Sequence, residues 1–347
     1  LCLDMGAPIN IWNLWIDLYE KNLQNNDATI GKIREIYKLG LTPLANNAHW
    51  WIAWASFEEH HGNLGNADIE YSARWLLREG CTYAQDNPHL WIKRAELEER
   101  AGNIGDITLN NSARGLLYAG SIEFPHSTHL WIKWAELETR MGNIGDYETP
   151  NSAAWIFKEA CTNHGIISDA AIWMKWADFA ANYNDSMQCS NGSEFTPSMI
   201  LKCACVDHRV PNSQVWAKWA DIEESHTNIG GYDVLYSASW IYREACMRSV
   251  DEDDQIWVKW AYFIERNKDQ SSLLNDYSAD VILKNKCLTG TNNVSPWIAW
   301  AVIEEAKGNI GDYSTDYSAA WLYQESCINH NPTQDANCLI KWARFAH

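Results

Sequence analysis

The residues best placed to do chemistry in this chain are charged and recur in register. Lys93, Lys133, Lys175, Lys218, Lys259 and Lys341 occupy the same place in a repeating phrase. Stacked in space, such lysines would form a basic stripe able to neutralise successive phosphates, as an RNA-binding surface does. Four of them carry a carboxylate three residues on, at Glu96, Glu136, Asp178 and Asp221. That spacing suits i,i+3 ion pairs on a helix. A second acidic row follows at Glu59, Glu99, Glu224, Glu265 and Glu305. Asp and Glu outnumber Lys and Arg by 45 to 27, for a net charge of −18. This disfavours RNA and anionic membranes as partners.

Other chemistries find less support. Six of the ten cysteines (Cys81, Cys161, Cys205, Cys246, Cys287 and Cys327) share one equivalent position. Neighbouring copies lie on the order of 10 Å apart, beyond disulfide reach. They are expected to be reduced and buried, which fits a reducing, intracellular compartment. Cys203 and Cys205 form C-x-C, with Cys189 before and His208 after, but no second close pair completes a metal site. Loops such as Asn309-Ile310-Gly311-Asp312 are oxygen-rich, yet none has the EF-hand pattern, and structural turns are expected. No phosphate-cradling loop, zinc-protease helix or nucleophile elbow is present, so no catalysis, cofactor or metal is assigned. Sequons stand at Asn110, Asn184, Asn191 and Asn293. No apolar run approaches membrane-span length. No targeting segment is visible either, and since the chain begins at Leu1 rather than Met, that carries little weight.

The periodicity explains the placement. A lead Trp falls at 12, 51, 91, 131, 173, 216, 257 and 297, and Leu339 takes its place in a ninth copy. The steps are 39, 40, 40, 42, 43, 41, 40 and 42 residues. A period of about 40 means a repeat array. A second Trp follows at +3 in every copy but one, where Arg94 stands, and Ala usually follows at +4. These positions share one face of a 3.6-residue helix. Gly62, Gly102, Gly142 and Gly308 at +11 suit the residue that ends it. Nine residues after Asn63, Asn103, Asn143, Asn228 and Asn309 comes a Ser-Ala pair that opens a second apolar stripe. In one copy Thr149-Pro150 reads as the N-cap and first residue of that second helix.

The phrase Trp-x-x-Trp-Ala-x-x-Glu, then Gly-Asn, then a second helix of small and aromatic residues, resembles the HAT (half-a-tetratricopeptide) repeat along nearly the whole chain. The resemblance implies an all-α, right-handed α-solenoid of antiparallel helix pairs and a place in RNA-processing assemblies. It also implies that an Arg of the second helix (Arg34, Arg74, Arg114) pairs with a first-helix Glu: Glu58, Glu98, Glu138, Glu223 or Glu304. Likeness to tetratricopeptide units puts +1, +5 and +8 on a concave face, which would make Glu59, Glu96, Glu99, Glu136, Asp178, Asp221, Glu224 and Glu305 its binding residues and a basic or partly apolar protein segment its partner. Two features depart from the family. The repeats exceed its usual length of about 34 to 37 residues, and Ala154, Ser239, Asp280 and Ala320 replace the Arg.

The chain is thus expected to form one solenoid over residues 1–347, with eight helix pairs and an unpaired helix at 339–347. Its expected role is a protein-binding scaffold, with an RNA-binding protein of the mRNA-maturation type as the alternative. A third reading is a fibre subunit. The uncovered end helices would then meet head to tail through Trp12, Trp15, Leu339, Trp342 and Phe345.

Overall fold

A computed structural model describes residues 9–22, 27–163, 168–183, 195–248, 254–268, 277–291, 293–329 and 336–346. Among the described residues there are seventeen α-helices, one short π-helical turn (Cys203–Asp207) and no strand. The helices gather into two compact units, residues 1–166 and 167–347.

The first unit holds α1 (Ile9–Asn22), α2 (Asp27–Gly40), α3 (Ala48–His60) and α4 (Ala73–Tyr83). It continues with α5 (Pro88–Arg100), α6 (Ala113–Glu123), α7 (Thr128–Arg140) and α8 (Ala153–Thr162). The second holds α9 (Ala170–Tyr183), α10 (Pro197–Lys202), α11 (Ser213–Ser225), α12 (Ala238–Met247) and α13 (Gln255–Arg266). It ends with α14 (Ala279–Gly290), α15 (Val294–Ala306), α16 (Ala319–Ile328) and α17 (Ala336–Phe345). Within each unit every helix packs on the next, so the described helices make eight pairs and a final single helix, a tandem-repeat α-solenoid arrangement. The final helix begins three residues before the expected 339.

The apolar stripes dictate this packing. None of the 21 tryptophans is exposed. The +3 indoles Trp54, Trp134, Trp176, Trp219, Trp260 and Trp300 are all buried, beside buried alanines that let the second helix approach. Gly62, Gly102, Gly142 and Gly308 end the first helices with φ between +74° and +80°, the left-handed conformation that glycine adopts without strain.

The second helix starts at the Ser-Ala pair. Ser152 Oγ accepts from Trp155 N at 3.2 Å, and Ser72, Ser112, Ser237 and Ser318 cap in the same way. This corrects the reading of Thr149-Pro150 as the helix start. Thr149 Oγ1 instead donates to Asp146 Oδ1 at 2.7 Å, inside the loop. The aspartates of these loops close their own turns: Asp106, Asp146 and Asp312 each accept a backbone N–H two residues on, at 2.9–3.0 Å. The hydroxyls of Ser314 and Thr315, at 2.7 and 2.8 Å from Asp312, and the threonines beside Asp146 and Asp106 add to this, and all three carboxyls are held below the usual range by such bonds.

The cysteines depart from expectation at two places. Cys161, Cys205, Cys246 and Cys287 are buried thiols, but Cys81 is only half-buried. Cys327 is joined to Cys338 in a disulfide between α16 and α17. The repeat spacing keeps apart only cysteines at equivalent positions. Cys338 lies on the following first helix, one residue before the lead position, where earlier copies place Leu90, Leu130, Val215 and Ile256, all buried. That site faces the end of the preceding second helix, and the two Cα atoms are 6.1 Å apart.

Candidate functional site

The arginine expected to pair with a first-helix glutamate does so. Arg34 donates to Glu58 at 2.8 and 2.7 Å, Arg74 to Glu98 at 2.8 and 3.1 Å, and Arg114 to Glu138 at 2.8 and 2.9 Å. Each pair links a second helix to the first helix of the next copy. The Gly-Asn asparagine completes the site. Asn63, Asn103 and Asn143 donate to the same carboxylates at 2.7–2.8 Å, and also to a backbone carbonyl eight residues on. Burial alone would push the Glu58 carboxyl up, but bonds from Arg34, Asn63 and Trp54 hold it below the usual range.

Where the arginine is missing, the glutamate finds another donor or is missing too. Glu223 is bonded by Ser198, which stands at the arginine position, and by Asn228 at 2.6 Å. Asp280 inverts the charge at that position, and Lys307 bridges Asp280 at 2.7 Å and Glu304 at 3.7 Å. At the remaining positions Ala154 is matched by Ala180 and Ser239 by Ile264.

The acidic binding candidates prove to be engaged within the chain. Glu59, Glu99 and Glu224 each receive an arginine from the next copy: Arg100 at 2.7 and 2.8 Å, Arg140 at 2.9 Å twice, and Arg266 at 3.3 and 2.8 Å. Glu96 pairs with Lys93 at 2.7 Å, as the i,i+3 spacing predicts, and also with Lys133 of the next copy at 3.3 Å. Asp178 receives Lys218 at 2.5 Å, and Asp221 receives Lys259 at 3.9 Å and the Tyr242 hydroxyl at 2.8 Å. Glu305 accepts from Tyr323 at 2.8 Å, and Glu136 is likewise engaged. The lysine row is thus drawn mainly toward the preceding copy rather than along its own helix. Each such pair is half-exposed and individually worth at most about 1 kcal/mol. Together they form a ladder that ties consecutive first helices.

The residues expected at the ends divide. Trp12 is buried, with its ring 5.7 Å from Trp50, and Trp15 is half-buried. The exposed apolar residues of α1 are Ile11, Leu14 and Leu18 instead. On α17, Leu339 is exposed, while Trp342 and Phe345 are half-buried against Tyr313 and Tyr323.

One exposed apolar row lies outside the residues that the sequence pattern singled out. The residue after the shared cysteine position is exposed and apolar on three successive second helices of the second unit: Met247 (60% exposed), Leu288 (53%) and Ile328 (60%). Val206 precedes them, half-buried. In the first unit the row is broken: the same position holds Thr82, Ile122 (also 60% exposed) and Thr162. The contrast is visible in the sequence once the cysteines are used as a ruler.

Among the described residues no three His, Cys, Asp or Glu gather as a metal site, and Cys189 lies outside them. The Asn184 and Asn191 sequons also lie outside; Asn110 is exposed, and Asn293 caps α15. No described helix is long and apolar enough to cross a membrane. Compared with protein-family models and with curated proteins, the chain matches none.

Proposed function

We propose that this protein is a non-catalytic repeat scaffold that holds protein partners, with helix pairs of the HAT type wound in a right-handed solenoid. The Arg–Glu pairs at the places that HAT resemblance implies support the repeat type. The observation that carries the binding role is the row Met247, Leu288 and Ile328. Exposed apolar side chains repeated at one position of a rigid array are what a partner covers. A partly apolar segment fits this row, and basic flanks would suit a chain of net charge −18. RNA is the weaker reading, because the lysines that would meet phosphates already hold carboxylates. An RNA-processing assembly as the setting rests on resemblance alone.

Site-specific photo-crosslinking tests the proposal. A crosslinker at position 288 should capture protein, and one at Thr82, the equivalent exposed site in the first unit, should not. Equal capture at both sites, or capture of RNA in place of protein, would refute it. In a direct titration at about 150 mM salt, no sub-micromolar RNA affinity is expected, since few phosphates can be neutralised at once.

A further inference from the structure

One repeat has lost its aromatic filling. In three copies the +3 tryptophan meets a tyrosine that packs in turn on a second-helix tryptophan: Trp54, Tyr71 and Trp75; Trp219, Tyr236 and Trp240; Trp300, Tyr317 and Trp321. The Trp–Tyr rings lie 5.4, 5.9 and 5.5 Å apart. In the copy built from α5 and α6 the same three positions hold Arg94, Asn111 and Gly115. The ring contact is replaced by a hydrogen bond, Arg94 Nη2 donating to Asn111 Oδ1 at 2.6 Å.

A cavity of about 440 Å³ opens there, lined by Arg94, Asn111, Arg74, Arg78 and Asn66, with Asp68 and Glu98 also on its wall. Three guanidinium groups against two carboxylates make it a cationic spot on a strongly acidic protein. The arginines are not equivalent. Arg74 is committed, with two bonds to Glu98 and one to Gly65 O at 2.7 Å. Arg78 reaches Glu79 and, at 3.2 Å, the highly exposed Asp68, a surface pair that a better acceptor can displace. Among the described residues no carboxylate stands within ion-pair distance of Arg94, although it is more buried than exposed and burial pulls its pKa down.

We infer that this cavity is a binding site for a phosphate-class oxyanion, clamped by Arg94 and Arg78. A guanidinium fork matches such an anion with two parallel bonds. The volume lies in the range of small-ligand sites and leaves room for a group that carries the phosphate. Asn66 and Asn111 add polar edges to the wall. The inference rests on the cavity alone and is independent of the apolar row that carries the scaffold reading.

The test is calorimetric titration of the full chain with inorganic phosphate and, separately, with phosphoserine, at ionic strength held constant with chloride. Saturable binding is expected with at least one probe, and their order tells a free anion from a phosphorylated side chain. Arg94→Trp restores the residue found in the other copies, so its fold should hold. Arg94→Gln keeps a donor for Asn111 and removes only the charge. Both variants should bind at least about tenfold more weakly, as expected for loss of a charge-assisted bidentate contact. No saturable binding by the wild-type chain, or equal binding in both variants, would overturn the inference. So would a short single-stranded RNA that binds at Arg94 more tightly than either probe, because that would make it a phosphodiester site.

Discussion

Truncating Arg114 to alanine should be among the most damaging single changes in the first unit. Glu138 is buried and accepts three bonds: two from Arg114, at 2.8 and 2.9 Å, and one from Asn143 at 2.8 Å. Removing Arg114 leaves a buried carboxylate with Asn143 as its one remaining donor of the three. Breaking a buried pair from one side costs about 3–5 kcal/mol. The Arg114 side chain is 25% exposed, so water can follow into part of the space it leaves. This favours the lower end, about 3 kcal/mol. Removing both partners, Arg114→Ala with Glu138→Ala, takes the buried charge away as well. The chain itself carries that solution, with Ala154 and Ala180 at the two equivalent positions, both buried. The double variant should lose only about 1–2 kcal/mol, mostly packing. A repeat protein need not unfold in one step, so native-state hydrogen exchange at amides of α6 and α7 is the appropriate assay. A loss of about 3 kcal/mol speeds exchange there somewhat more than a hundredfold. An effect of Arg114→Ala below about 1 kcal/mol, or a double variant as unstable as the sum of the singles, would refute the reasoning.

Acid should find Glu58 in the same way. Its folded pKa is lowered, so its stabilisation is complete above the ordinary carboxylate range and is lost as pH falls through the lowered value. Arg34→Met should therefore move the acid-unfolding midpoint, followed by circular dichroism, to higher pH; an unmoved midpoint would count against the assignment. The loop glycines should differ sharply. Gly142 (φ +74°) has open space where a Cβ would go, and Gly142→Ala should cost about 1–2 kcal/mol for the left-handed backbone alone. At Gly145 (φ +60°) a Cβ would fall 2.2 Å from the Ser152 Cβ, so Gly145→Ala should cost about 1 kcal/mol more through the displaced cap, and thermal melts showing equal losses would contradict this. Reducing the Cys327–Cys338 bond, or replacing Cys338 with serine, should make α17 the first site of limited proteolysis, because closing so short a loop is worth about 3 kcal/mol. Unchanged cleavage of α17 would show that packing alone holds it.

The helices were legible because the Trp-x-x-Trp-Ala phrase marks one helical face and the Ser-Ala pair marks the next helix start, and both signals are local. The arginine–glutamate pairing came from the family resemblance and holds wherever both residues are present. What could not be read from spacing was which copy a side chain reaches for. Lys133 has Glu136 one turn away on its own helix, yet it bridges Glu96 of the preceding copy. The acidic rows, expected as a binding face, are largely engaged as a tie between neighbours. Thr149-Pro150 misled for a related reason. A threonine before proline has the chemistry of a cap, but Asp146 competes for its hydroxyl and Ser152 is left to cap α8.

The fate of buried charge across the copies bears on where a partner binds. Every first-helix glutamate at the clasp position has a donor, whether arginine, serine or a lysine bridging an aspartate. Where the glutamate has gone, the arginine position holds alanine or serine instead. Charges at this layer come and go together, as the cost of leaving one unpaired requires. Arg94 breaks that pattern one turn away. It replaces an indole that is buried in six other copies, and it brings an asparagine rather than a carboxylate to meet it. Packing does not account for the exchange, because the aromatic alternative fills the same position elsewhere in the chain. A half-buried guanidinium on a cavity wall is stabilised when an anion from outside the chain completes its coordination. That is why the search for a ligand belongs at Arg94 rather than along the acidic rows.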